Sequence, residues 1–137
     1  MNLVSAAANR QLSTVNSLSM PRFVILRHEL PPEATRGSHW DLMFEAGATL
    51  RTWSLETAPD LADEQVATPL PDHRREYLTY EGPVSGNRGS VARWDEGTFE
   101  VLGDDDEAFV VEVAGRRLHG RIMLTKTTAC RYRFEAD

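Results

Sequence analysis

At 137 residues the chain has the size of one domain, since globular domains run to roughly 100–200 residues. Hydrophobic residues at 41% and charged residues at 26% give an ordinary globular balance, which excludes collagen-like, wholly disordered and disulfide-scaffold readings. A net charge of −6 excludes nucleic-acid binding through a broad basic surface, because that affinity arises from counterion release at many Lys and Arg contacts; any phosphate contact must be local.

Residues 1–20 (MNLVSAAANRQLSTVNSLSM) have neither the basic n-region nor the apolar h-region of a secretory signal. They read as a flexible N-terminal arm, or as upstream sequence with the start at Met20, ahead of a single domain over 21–137. Arg22–His28 (RFVILRH) reads as a strand whose aliphatic block is too short for a membrane span. The Pro31-Pro32 pair makes Glu29–Ser38 an irregular loop. His39–Glu45 (HWDLMFE) alternates with period two, and Ala46-Gly47 turns it into Thr49–Leu55, a hairpin. Pro59, Pro69 and Pro71 predict a long connection over 56–72 with room for one helical turn. Tyr77–Glu81, Gly89–Trp94 and Thr98–Leu102 follow as strands, the last two joined by a bulged hairpin at Asp95-Glu96-Gly97. An acidic turn at Asp104–Asp106 leads to Ala108–Val113, then Leu118–Lys126 and Cys130–Phe134. Eight or nine short strands without helical periodicity predict an all-β fold, a barrel or a sandwich. Cys130, the single cysteine, has no intramolecular partner, so a reducing, cytoplasmic setting is the default.

Period two also places the chemistry. His39, Asp41, Met43 and Glu45 share one face of their strand, while Trp40, Leu42 and Phe44 take the core face. Bare, His-x-Asp on a strand is equally well a solvated polar face. His28, ending the preceding strand, can join it if the two strands pair, completing a two-histidine, one-carboxylate set suited to Mn²⁺, Fe²⁺ or Zn²⁺. His73 and Tyr77, with Arg74 and Arg75 between them, form a second candidate group, which read plainly is a loop histidine and a core-edge tyrosine. His119 follows two arginines and reads as surface. Of the 15 basic residues Lys126 alone is lysine; the arginine excess suits bidentate phosphate contacts, but codon bias in a GC-rich genome is the favoured account of it.

The ordered blocks PRFVILRHELPP, SHWDLMFEAGATLRTWSL, PLPDHRREYLTYEG, GSVARWDEGTFEVL and GRRLHGRIMLTK, over about 21–127, resemble the 3′-phosphoesterase domain of bacterial DNA ligase D and its free-standing relatives. The resemblance implies a compact antiparallel β-barrel with a manganese site that trims 3′ ends of DNA, removing a terminal ribonucleoside and then the 3′-phosphate it leaves. It assigns His28, His39 and Asp41 as metal ligands, to Mn²⁺ foremost and with Zn²⁺ as the second candidate, and sets His73 and Tyr77 at the scissile phosphate. The chain departs from the family pattern in three places. Met43 stands where the family has a phosphate-gripping arginine, Glu56-Thr57 replaces a Pro-Lys step, and ten residues separate His28 from His39, a longer loop than usual. Arg51, Arg74 and Arg75 are the expected phosphate-binding residues, with Arg36 a further candidate for the lost cation.

The functional expectation is a metal-dependent phosphoesterase acting on nucleic-acid 3′ ends or a small phosphate ester, with a repair ligase or polymerase as partner in trans and no membrane. Two other readings stand beside it: a weak or inactive DNA-end-binding accessory module, and a non-haem iron oxygenase built on His39, Asp41 and a distant histidine, His73 or His119.

Overall fold

The computed structural model describes residues 20–61, 64–126 and 129–137, so nearly all of the expected N-terminal arm lies outside the described residues. Nine strands form: β1 (Arg22–Glu29), β2 (His39–Ala46), β3 (Thr49–Leu55), β4 (Gln65–Arg74), β5 (Gly82–Pro83), β6 (Ser90–Asp104), β7 (Ala108–Gly115), β8 (His119–Thr125) and β9 (Arg131–Ala136). Among the described residues one 3₁₀ turn forms, at Arg75–Leu78. Every pairing is antiparallel, in the order β1-β2-β3-β4-β9-β8-β7-β6-β5, with a further pairing of β1 to β6. Among the described residues no helix is long and apolar enough to cross a membrane.

β1 is the spine of the sheet. Its apolar run is unbroken because both faces are covered, as in strands of doubly packed sheets. Phe23 and Ile25 enter the main core with Leu42, Phe44, Trp53, Phe99 and Phe109. Val24 and Leu26 enter a smaller cluster on the opposite face with Met43, Leu50, Leu78 and Val91. The face of β2 expected to be polar and solvated is therefore also buried, with His39 and Asp41 only 2% and 4% exposed.

The all-β class stands, but the compact barrel needs correcting: the strands make one curled nine-stranded sheet whose ring does not close along its length. The open seam lies between β4 and β9, which share only two residue pairs, Arg131 with Val66 and Tyr132 with Gln65. Proline is the physical reason. Alternate residues of an antiparallel strand direct their N–H groups to the same neighbour. On the β9 side Ala67 N–H donates to Cys130 O at 2.9 Å; the next position in that alternation is Pro69 and beyond it lies Pro71, neither with an N–H to give.

Three local expectations also change. The second half of the connection over 56–72 is strand β4, because the prolines turn their donorless side to the seam and leave the β3 side free to pair. Tyr77–Glu81 is no strand; Arg75–Leu78 winds into the 3₁₀ turn, which lays Leu78 on the small cluster. The hairpin at Asp95-Glu96-Gly97 does not exist, since Ser90–Asp104 is one strand of 15 residues. Asp95 instead caps the neighbouring β7–β8 turn. Its Oδ1 accepts from the N–H groups of Glu96 (2.8 Å), Arg116 (2.7 Å) and Arg117 (3.0 Å), and its Oδ2 from Leu118 N–H (3.0 Å). Buried donors left without an acceptor cost about 1–3 kcal/mol each. Asp95→Ala should accordingly lower unfolding free energy by about 3 kcal/mol or more in urea denaturation at neutral pH; a loss below about 1 kcal/mol would mean that the turn does not depend on this carboxylate.

Candidate metal centre

The pairing of β1 with β2 sets His28 directly opposite His39, and Asp41 follows on the same face of β2. The two imidazole rings lie 4.8 Å apart between centroids. Asp41 Oδ2 is 3.5 Å from His28 Nδ1, and Asp41 Oδ1 is 3.2 Å from His39 Nε2. One ligand atom from each residue falls within 4.8 Å of the other two.

Backbone carbonyls outside this trio orient its rings. His28 Nε2–H donates to Arg88 O at 2.7 Å, and His39 Nδ1–H donates to Gly37 O at 3.2 Å. A carbonyl only accepts, so these nitrogens hold the protons and, in the neutral imidazoles, His28 Nδ1 and His39 Nε2 turn lone pairs inward. Asp41 Oδ1 is buried there without a hydrogen bond. Two lone pairs and a carboxylate facing one another are stable only around positive charge, either a proton or a metal ion. The donor set, two neutral imidazoles and one carboxylate with carbonyls fixing the tautomers, fits a divalent transition ion.

The proton equilibria reflect the same crowding. Burial pushes the Asp41 carboxyl up, but a protonated His28 or His39 beside it, which donates inward and carries charge, outweighs burial and brings it down to about 2. The hydrogen bond to Asp41 raises His28 above its ordinary 6.5, against burial and the charge of Arg36.

The remaining candidates fall into two groups. Ser54 of β3 is Asp41's cross-strand partner, and the Arg36 guanidinium, from the loop ahead of β2, hydrogen-bonds its hydroxyl. Further along the face Met43 is buried in the small cluster. Past it His73 stands opposite Leu50, four residues along β3 from Ser54, or about 13 Å at 3.3 Å per residue. His73 Nδ1–H donates to Pro71 O at 2.9 Å, and its ring meets Tyr77 edge-on at 5.7 Å. The structure therefore unites His28, His39 and Asp41, and separately His73 and Tyr77, with Met43 between the two groups.

The three arginines expected at phosphate do not gather at the trio. Arg51 points to the opposite face, 4.2 Å over the Phe109 ring and bonded to Asp104 at 3.0 Å. Arg75 is held by Glu45 and by Gly47 O at 2.8 Å. Arg74 is exposed, its Nε 4.0 Å from Glu76. His119, exposed on β8 opposite Ala114, stays outside the group, as does His73, so neither supplies the distant ligand of the oxygenase reading. Ser54 and the Gly37 and Arg88 carbonyls carry no sequence signal; only strand register and loop path reveal them.

Residues 32–126 match the family model of the DNA Ligase D 3'-phosphoesterase domain. The chain is also similar to the multifunctional non-homologous end joining protein LigD of Pseudomonas aeruginosa, 28% identical over 124 residues that cover 82% of this chain and 14% of that protein. The chain thus spans about one seventh of that relative's length. His39, Asp41, His73 and Tyr77 lie inside the family match and His28 just ahead of it.

Two outcomes follow. His39→Ala should abolish stoichiometric Mn²⁺ or Zn²⁺ uptake, read by elemental analysis after dialysis, and should also destabilise the fold by about 1–3 kcal/mol because buried Asp41 loses a partner; unchanged metal content would refute the site. In the metal-free protein, the stability from His28's raised pKa is complete below 6.5 and disappears as pH climbs through the raised value. That from Asp41, depressed from 3.8 to about 2, is complete above 3.8 and disappears as pH falls through about 2. The melting temperature should therefore peak between these limits and fall on the alkaline side, and Mn²⁺ should reverse the alkaline fall.

Proposed function

The chain belongs to the DNA Ligase D 3'-phosphoesterase domain family, and we propose that it is a divalent-metal-dependent phosphoesterase that processes nucleic-acid 3′ ends by removing a terminal 3′-phosphate or 3′-ribonucleoside. The observation that carries this reading is the buried Asp41 carboxylate, its Oδ1 3.2 Å from His39 Nε2 and its Oδ2 3.5 Å from His28 Nδ1, facing two ring nitrogens left as acceptors in the neutral tautomers that the Arg88 and Gly37 carbonyls fix. His28, His39 and Asp41 would hold the ion, Mn²⁺ foremost, with the same donors also suited to Zn²⁺. Such an ion supplies Lewis acidity toward a phosphoryl oxygen and a lowered pKa for water.

The Nδ1 proton of His73 is committed to Pro71 O, so Nε2 is the nitrogen that meets substrate; as the imidazolium, with a second proton on Nε2, the ring would clamp a phosphate oxygen or give that proton to the departing 3′ oxygen. The Tyr77 hydroxyl, beside that ring, donates to charge developing on the phosphoryl group. Arg74, with its guanidinium largely in solvent, is the one of the three expected arginines free to approach a phosphate; Arg51 and Arg75 are spent on Asp104 and Glu45. A local anion site within a chain of net charge −6 suits recognition of a strand end, or of a small phosphate ester, better than recognition of a long duplex. A cytoplasmic setting and a repair ligase or polymerase acting in trans belong to the same proposal.

One observation favours the accessory-module reading: Met43 is buried among Val24, Leu26, Leu50, Leu78 and Val91, so the middle of the face offers a phosphate no donor. A single series separates the two. With Mn²⁺ and a 3′-phosphorylated primer–template, the enzyme releases inorganic phosphate, and His73→Ala lowers turnover about 10²-fold with Mn²⁺ affinity unchanged. An accessory module binds the same end and releases none.

A further inference from the structure

We infer that Arg36, carried by the loop between β1 and β2, is the residue that binds the phosphoryl anion at the metal centre. The inference rests on the proposed phosphoesterase reading and names the cation that the site-facing strands do not provide. On β2 the position after Asp41 on this face is Met43, which has no donor. On β6 the arginine facing the same side is Arg93, opposite Leu26; Glu81 (3.9 Å) and Glu96 (3.5 Å) already balance its charge, although its buried Nε has no hydrogen-bond partner. Arg36 differs from both. Its guanidinium bonds a neutral hydroxyl, that of Ser54, and among the described residues it enters no ion pair. Ser54 is the direct cross-strand neighbour of Asp41, so the cation stands beside the carboxylate that would hold the ion.

The loop is built to keep it there. Leu30 N–H donates to Ser38 Oγ at 3.1 Å across the loop's base, and Ala34 N–H donates to Pro31 O at 3.0 Å within it. Gly37, next to Arg36, supplies the carbonyl that orients His39, so one short segment aims both a metal ligand and a guanidinium. A guanidinium beside a cation site repels the ion by itself. With an oxyanion between them both charges are compensated, and the planar fork of arginine suits two phosphate oxygens at once. The juxtaposition therefore makes sense for an anion that joins metal and Arg36.

The test uses the full chain loaded with Mn²⁺ and titrates inorganic phosphate by calorimetry, for wild type, Arg36→Gln and Arg36→Lys. Wild type should bind phosphate, Arg36→Gln about tenfold or more weakly, the usual range for a charged hydrogen bond, and Arg36→Lys in between. Mn²⁺ affinity without phosphate should be unchanged or tighter in Arg36→Gln, an outcome that mere loop disruption, which also loosens Gly37 and His39, does not give. Equal phosphate affinity in wild type and Arg36→Gln, or no phosphate binding by wild type, overturns the inference. Phosphate release from a 3′-phosphorylated end, measured on the same samples, separates the two levels. Arg36-dependent phosphate binding without turnover keeps the anion site and removes the phosphoesterase reading, whereas turnover insensitive to Arg36→Gln keeps the enzyme and removes Arg36.

Discussion

The antiparallel register of β1 against β2 is the constraint from which the site follows. His28 faces His39 because Phe23 faces Phe44 and Ile25 faces Leu42 further down the same ladder, and those lower pairs are locked in the main core. A slip of one residue would move every side chain of β1 to the other face, burying Val24 and Leu26 where Phe23 and Ile25 belong and sending His28 away from Asp41. Both faces of β1 being apolar, a slip would at first sight cost little. The aromatic packing resists it: Phe44 sits edge-on to Phe99 and Phe109 at 5.2 and 5.5 Å, geometry that aliphatic side chains cannot reproduce. The core thus fixes the spacing of the two histidines of the candidate metal centre.

Positive charge at the trio is a consequence of what surrounds it. Arg88 O and Gly37 O can only accept, so the protons of the two rings are drawn outward and their lone pairs inward, toward a carboxylate that burial would otherwise favour as the neutral acid. Each imidazole separately is an ordinary satisfied histidine. Together with Asp41 they form a set of acceptors with an oxygen left over. An arrangement of this kind is kept only where something cationic completes it, because a buried polar atom without a partner costs free energy that packing does not return.

Much of this was legible in the residues. The alternation of HWDLMFE and the unbroken run RFVILRH located two strands, and the site depended on their pairing, which the register of β1 against β2 supplies. What escaped notice did so for identifiable reasons. Pro69 and Pro71 argued against a strand, yet a proline is harmless on the side of a strand that has no neighbour, and sequence does not say which side that is. Asp95-Glu96-Gly97 has the composition of a hairpin turn, but the carboxylate serves a turn about twenty residues away, and Gly97 is required because a Cβ there would meet Ala114 O at 2.0 Å. Tyr77 has a strand former's side chain and lies in a 3₁₀ turn, where packing of Leu78 on Val24 and Leu26 overrides local preference. Arginine was the least legible residue of all: Arg51 and Arg36 look alike in composition, and only the face and the path of the loop distinguish one held by Asp104 from one beside Asp41.

The burial of Met43 changes where an anion can be held on this face. The backbone that carries a guanidinium on a strand is already fixed by the ladder, whereas on the nine-residue loop between β1 and β2 it is fixed only as well as the loop is ordered. Here the ordering comes from two prolines, a turn at Pro31–Ala34 and the Ser38 clasp, with the Ser54 hydroxyl as the resting partner of the guanidinium. A neutral hydroxyl suits that task, because it stabilises Arg36 without neutralising it, and an incoming phosphate oxygen displaces a weaker bond for a charge-assisted one. A carboxylate in the place of Ser54 would hold Arg36 more firmly and would compete with the substrate for it. The loop and the donorless strand position are thus complementary: on the proposed reading the ion's ligands lie on the sheet and the cation for the anion lies on the loop that joins two of them.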